Sequence, residues 1–215
     1  MSTLKSINKR TWLRLFVGLT LCALSIFLET RANIGMGSWS VFHQGLSKNL
    51  HISFGQISIM CSLIIIIVVS LIGLLPGIGT ILNMLVIGWL VDFFDFIRMI
   101  PIAGNMAVGI LMMIVSMLLY AYGSYLYISC EMGCGPRDGL MSELTKKTHL
   151  PVGIVRFFIE GSVFLVGWRL GGQVGIGTII YVLGTGICMN LVYKVMKFDI
   201  ASVRHRTLCE IRGGK

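Results

Sequence analysis

Charge is what this chain has least of. Only 13% of its 215 residues are Asp, Glu, Lys or Arg, against about 25% in a soluble domain. So few charges cannot cover a water-facing surface, and soluble-enzyme and DNA-binding classes start far behind. The 55% of apolar residues also excludes a disordered chain. Catalytic and metal signatures are missing too. There is no phosphate loop, serine nucleophile elbow or zinc motif. Six cysteines (22, 61, 130, 134, 188 and 209) lie mostly in or beside apolar runs. Cys130 and Cys134 have no second metal-ligand pair and read as small packing residues. The four histidines form no ligand cluster. No metal, no cofactor and no enzymatic activity are expected. A membrane enzyme would have to rely on Arg137, Asp138, Glu143 and His149 alone.

What is present is apolar, in long runs. A membrane-spanning helix needs roughly 20 mostly apolar residues. Six segments qualify: about Trp12–Leu28, Phe54–Leu74, Gly79–Met99, Ile102–Ile128, Val152–Leu170 and Gly177–Val195. They leave short connections and two basic tails, so no extramembrane domain is expected. The first run has the basic start of a signal peptide. It ends on Glu29-Thr30-Arg31 with no small-residue cleavage site, so it reads as a retained helix.

The net charge of +9 invites a nucleic-acid reading, but no base-reading motif accompanies it. Its placement follows the positive-inside rule. With the amino terminus in the cytoplasm, the inner side holds Lys5, Lys9, Arg10 and Arg14, then Arg137, Lys146, Lys147 and Arg156. The tail adds Lys194, Lys197, Arg204, Arg206, Arg212 and Lys215. The outer side keeps Arg31, Lys48, Arg98 and Arg169. A plasma-membrane protein with both termini cytoplasmic is expected, and this requires an even number of spans.

Shifted by 98 residues, the chain matches itself without gaps. Gly35-Met36-Gly37 falls on Gly133-Cys134-Gly135. Leu46, Lys48, His51 and Gly55 fall on Leu144, Lys146, His149 and Gly153. Gly77-Ile78-Gly79-Thr80-Ile81 falls on Gly175-Ile176-Gly177-Thr178-Ile179. Each copy holds three spans, an odd number, so the second enters the membrane from the opposite side. The expected fold is all-α and polytopic: six transmembrane helices as two inverted three-helix repeats, each with a short re-entrant or interfacial helix. Residues 1–215 form one membrane domain, with repeat 1 at about 12–100, repeat 2 at about 101–198 and a basic cytoplasmic tail over 199–215.

The short helices follow the Gly-x-Gly connections. Ser38-Trp39-Ser40 and Pro136-Arg137-Asp138 offer helix starts, and proline suits a first helical position because no donor is lost there. Trp39, Phe42 and Leu46 make an apolar stripe in one copy, Leu140 and Leu144 in the other. About 12 helical residues cover only about 18 Å, too short to span. A helix starting inside the membrane turns free N–H groups and a positive dipole end inward. Two such starts facing one central site would suit a carboxylate or phosphate. The alternative is an interfacial helix whose glycines only turn a corner.

Gly35-Met36-Gly37-Ser38-Trp39-Ser40-Val41-Phe42-His43-Gln44-Gly45-Leu46-Ser47 resembles the signature of the YczE/YyaS/YitT group of bacterial integral membrane proteins. The segment 133–140 and both Gly-Ile-Gly-Thr turns are similar to that group as well, so the resemblance covers about Val17 to Asn190. It implies a bacterial plasma-membrane protein and speaks to fold and location more than to activity. In that group an acidic residue is usual where this chain has Ser40.

Within the spans, Arg156 and Glu160 sit one turn apart, while their repeat partners are Ser58 and Ser62. Ionisable groups at membrane depth are functional candidates by default, and the spacing also lets the two neutralise each other. Asp92 and Asp95 read as interfacial polar groups, Asn83 as a bond across a helix contact. Gly167, Gly171, Gly184 and Gly186 read as close-packing positions. The expected function is transport of a small solute, an anionic one being among those that would suit, through a central site at the inverted-repeat interface. Its expected binding residues are Gly35, Gly37, Ser38, Trp39, His43, Gln44, Gly133, Gly135, Pro136, Arg137, Asp138, Arg156 and Glu160. The alternatives are a membrane accessory or scaffold, and a substrate-binding subunit of a larger transporter. The expected partners are the lipid bilayer and a small solute, with room for a homodimer or a membrane-protein partner, and no nucleic acid.

Overall fold

The computed structural model describes residues 8–73 and 75–198. Lys5, Cys209 and the basic tail over 199–215 lie outside the described residues. The described chain is helical throughout: α1 (Lys9–Ala32), α2 (Ser38–Leu50), α3 (Phe54–Ile72), α4 (Ile78–Phe96), α5 (Met106–Ile128), α6 (Pro136–Thr148), α7 (Val152–Arg169) and α8 (Ile176–Val195). Among the described residues, five helices (α1, α3, α4, α5 and α8) are long and apolar enough to cross a membrane. The protein is therefore an all-helical polytopic membrane protein. α7 falls outside that set because its 18 residues carry Arg156, Glu160 and Arg169.

Local chemistry sets the ends. The Ser53 side chain accepts from the Gln56 N–H to start α3. The Asn105 side chain does the same for the Val108 N–H at 2.9 Å, so α5 begins at Met106 and not at Ile102. α4 stops at Phe96, short of the expected Met99, as the chain turns left-handed at Arg98 (φ 48°). α2 and α6 each have 13 residues and start 98 positions apart. The left-handed residues recur at the same offset: Asn33 and Glu131, Gly35 and Gly133, His51 and His149, Gly73 and Gly171. The repeated histidines are thus helix C-caps. The repeated Gly35 (φ 111°) and Gly133 (φ 128°) hold a backbone shape that other residues adopt only with strain.

The two halves interlock. α1 lies against α5, α2 against α7 and α3 against α6. Gly18 meets Gly123, while Ser25 meets Ser116, so α1 and α5 cross antiparallel. The Ser25 hydroxyl donates to the Ser116 carbonyl at 2.8 Å and the Ser116 hydroxyl donates back to the Ser25 carbonyl at 3.0 Å. Each Gly-x-Gly connection docks on the opposite half. The Gly79 N–H donates to the Met132 carbonyl at 2.7 Å, and the Gly177 N–H donates to the Ile34 carbonyl at 2.8 Å. A Cβ at Gly123 would come within 2.8 Å of the Gly18 carbonyl oxygen. Gly123→Leu is therefore expected to cost about 1–3 kcal/mol or more by overpacking, read as a lower thermal unfolding midpoint in detergent.

The core gathers where α1, α4 and α5 meet, around Leu15, Leu19, Phe27, Val91, Phe94 and Tyr127. Large apolar side chains such as Leu71, Phe96, Phe157 and Leu183 point outward, as the hydrocarbon of a bilayer requires. Of the expected close-packing glycines, Gly167 lies on the Phe42 backbone and Gly184 on Met117. A Cβ at Gly171 or Gly186 would meet nothing.

Candidate functional site

The starts of α2 and α6 come together. The Arg137 guanidinium carbon stands 4.6 Å from the centroid of a Trp39 ring. A cavity of about 130 Å³ lies beside this contact, space for on the order of ten waters. Both connections line it, through Gly37, Ser38, Trp39 and Ser40 on one side and Gly135, Pro136, Arg137 and Asp138 on the other. α3 contributes Ser58 and Ser62, and α7 contributes their repeat partners Arg156 and Glu160. Asn83, Tyr120, Tyr127, Tyr181 and Thr185 add further polar edges.

The first short helix has its amino end occupied. Glu29, fully buried near the end of α1, accepts from the Gly37 N–H and from the Ser40 hydroxyl, the latter at 3.2 Å. The second copy builds the same pair with its parts exchanged. The Tyr127 hydroxyl on α5 donates to the Asp138 carboxylate on α6 at 3.0 Å. Tyr127 is the repeat partner of Glu29, and Asp138 that of Ser40. The carboxylate missing at Ser40 is thus supplied from α1. The offset of 98 holds this signal, since it aligns a carboxylate and a hydroxyl in each copy, and Glu29 lies one residue beyond the apolar run Trp12–Leu28.

The expected site residues divide into two groups. Gly37, Ser38, Trp39, Gly135, Pro136, Arg137, Asp138, Arg156 and Glu160 all face the cavity. Gly35, Gly133, His43 and Gln44 sit in the surrounding frame. Gly35 packs on the Gly175 backbone and Thr178, and Gly133 packs on Thr80. His43 is buried among Trp39, Phe42 and Phe54. Burial, followed by the charge of Arg137, holds its imidazole well below the usual histidine range. The Gln44 side chain accepts from the Gln173 N–H at 2.6 Å. Burial likewise pushes the Cys134 thiol up to about 11, with Asp138 adding to the effect, which suits a packing residue and not a thiolate ligand.

Three ion pairs occur among the described residues: Arg31–Asp95, Lys146–Glu143 and Arg156–Glu160. Arg137 belongs to none of them. Arg156 holds Glu160 at 2.9 Å, with about half of the arginine side chain exposed. The cavity thus offers a guanidinium held over an indole, a neutralised pair on α7, and hydroxyl groups from both halves.

Residues 9–194 match a family described as a family of unknown function (DUF6198). The chain is 35% identical over 182 residues to a protein named "Uncharacterized membrane protein YczE" from Bacillus subtilis (strain 168), covering 83% of each chain. It is 33% identical over 185 residues to a Haemophilus influenzae (strain ATCC 51907 / DSM 11121 / KW20 / Rd) protein named "Uncharacterized protein", covering 84% of each. No solved structure matches the chain.

Proposed function

This chain belongs to the DUF6198 family and to the YczE-type group of membrane proteins, and from that premise we propose that it is a plasma-membrane transporter-like protein that carries a small solute with an anionic group. Its central site is the cavity between the starts of α2 and α6. The observation that carries this function is the meeting of both Gly-x-Gly segments, one from each half, at a single polar cavity.

The membrane arrangement is six spans, with α7 as the sixth, in two inverted repeats with both termini cytoplasmic. At about 1.5 Å per residue α7 is about 27 Å long, close to the thickness of a bilayer core. Arg156 and Glu160 face the cavity, where water can solvate them, and Arg169 is the last residue of the helix. The antiparallel crossing of α1 and α5 favours inversion, since helices related by a two-fold axis in the membrane plane run in opposite directions. α2 and α6 are re-entrant, their backbones shielded by α7 and α3.

The anion's partner is Arg137. The first helix start is served by Glu29, so its dipole end attracts the protein's own carboxylate. Arg137 has a planar fork suited to a carboxylate or phosphate and stands outside the ion pairs.

The purified protein should show solute-dependent thermal stabilisation when screened against small carboxylates and phosphates, and a hit should be taken up by proteoliposomes. Stabilisation without uptake would favour a substrate-binding subunit, which an ATPase co-purifying with the protein would then identify. Neither response across both anion classes would favour a membrane accessory.

A further inference from the structure

The two halves of the molecule differ in the seam between their second and third long helices. In the first half the seam is closed. Asp92 on α4 accepts from the Ser53 hydroxyl at 2.5 Å and from the Gly55 N–H at 2.7 Å. Gly55 and Gly88 touch so closely that a Cβ on Gly55 would run into the Gly88 carbonyl oxygen, and one on Gly88 would lie 2.7 Å from the Gly55 carbonyl oxygen. In the second half the equivalent seam is open. Gly153 and Gly186, the repeat partners of Gly55 and Gly88, face empty space, with nothing within 4 Å of an added Cβ. α3 packs along α4, and α7 makes no comparable packing with α8. The cavity reaches this gap, lined there by Arg156 and Glu160 of α7 and by Tyr181, Val182 and Thr185 of α8.

Resting on the transporter function, we propose that these two seams are the gates of the site and close in alternation. The described conformation is open at the end of the molecule that bears Pro151 and shut at the end that bears Ser53. In the opposite-facing state Gly153 packs against Gly186, and the Asn190 side-chain oxygen accepts the Gly153 N–H as Asp92 now accepts that of Gly55. Asp92 then releases Ser53, and α3 parts from α4. The inverted repeat makes this exchange natural, because each half can adopt the shape the other has now.

Sequence differences at the two clasps explain which state is favoured. Asp92 is a charged acceptor with two donors. Asn190 is neutral, and Pro151 stands where Ser53 would donate. Charge-assisted bonds are roughly twice as strong as neutral ones, so the Asp92 clasp is the tighter, and the state it holds shut predominates.

The test uses the full chain in membrane vesicles, with all six cysteines replaced and Ser62→Cys placed in the cavity. A membrane-impermeant maleimide should label this cysteine from the Pro151 side and hardly at all from the other. Asp92→Asn removes the charge with little change of shape. It should raise labelling from the Ser53 side by about tenfold. In a second variant, Asn190→Asp gives the other clasp a charged acceptor as well and should shift labelling toward the Ser53 side. Labelling confined to the Pro151 side in both variants would overturn the alternating gates. Switching of sides without uptake of any solute would uphold the gates and count against the transport function itself. Uptake with one-sided labelling throughout would do the reverse.

Discussion

Arg137→Gln is expected to weaken solute binding by about 10- to 100-fold while leaving the unfolding midpoint close to that of the parent. Hydrogen bonds to charged groups contribute about 1.5–3 kcal/mol, and each 1.4 kcal/mol is a factor of ten. The side chain touches the Trp39 ring and takes part in none of the ion pairs among the described residues. Its loss therefore removes a contact at the cavity and no ion pair of the frame. Arg137→Lys should recover only part of the affinity, since an ammonium keeps the charge and loses the fork. Isothermal titration with a hit from the anion screen measures both. Equal affinity in parent and Arg137→Gln would remove Arg137 from the site and with it the case for an anionic solute.

Glu29→Ala should be the most destabilising single substitution near the cavity. The carboxylate is fully buried and accepts both the N–H of Gly37, the N-cap of α2, and the Ser40 hydroxyl. Truncation leaves two buried donors without an acceptor, at about 1–3 kcal/mol each, and adds a void. A loss of several kcal/mol, read as a large fall in the unfolding midpoint, is expected. Adding Ser40→Asp to Glu29→Ala should regain part of it, because the second copy carries its carboxylate at that position, in Asp138. No recovery in the double variant would mean that the two copies do not share one design at this point.

The same residues mark how far the sequence could be read. Apolar runs and the offset of 98 were enough to place α1, α3, α4, α5, α7 and α8 within a few residues, and the two short helices between them. Helix formation in a membrane depends on local composition, and caps such as Ser53, Gly37 and Gly135 are local too. The Glu29–Ser40 and Tyr127–Asp138 pairs join residues 11 positions apart across a turn. They form because the turn between them folds back, which spacing along the chain does not specify. His43 and Gln44 share a motif with Trp39, yet His43 sits one turn further along, packed against Trp39, Phe42 and Phe54, and Gln44 is held by the Gln173 N–H.

By itself the sequence determined the membrane as solvent, the helical class and the internal match at an offset of 98, since all of these follow from composition and spacing along the chain. The tertiary structure alone decided which residues share a cavity. It set Arg137 over Trp39, and it gave the first helix start to Glu29. It also left the α7/α8 seam open while Asp92 shuts its counterpart. These are contacts between elements far apart in the chain, and they depend on how antiparallel helices pack around small residues. Two copies nearly alike in pattern can therefore stand in different states, because a charged acceptor with two donors sits in one seam and a neutral side chain in the other.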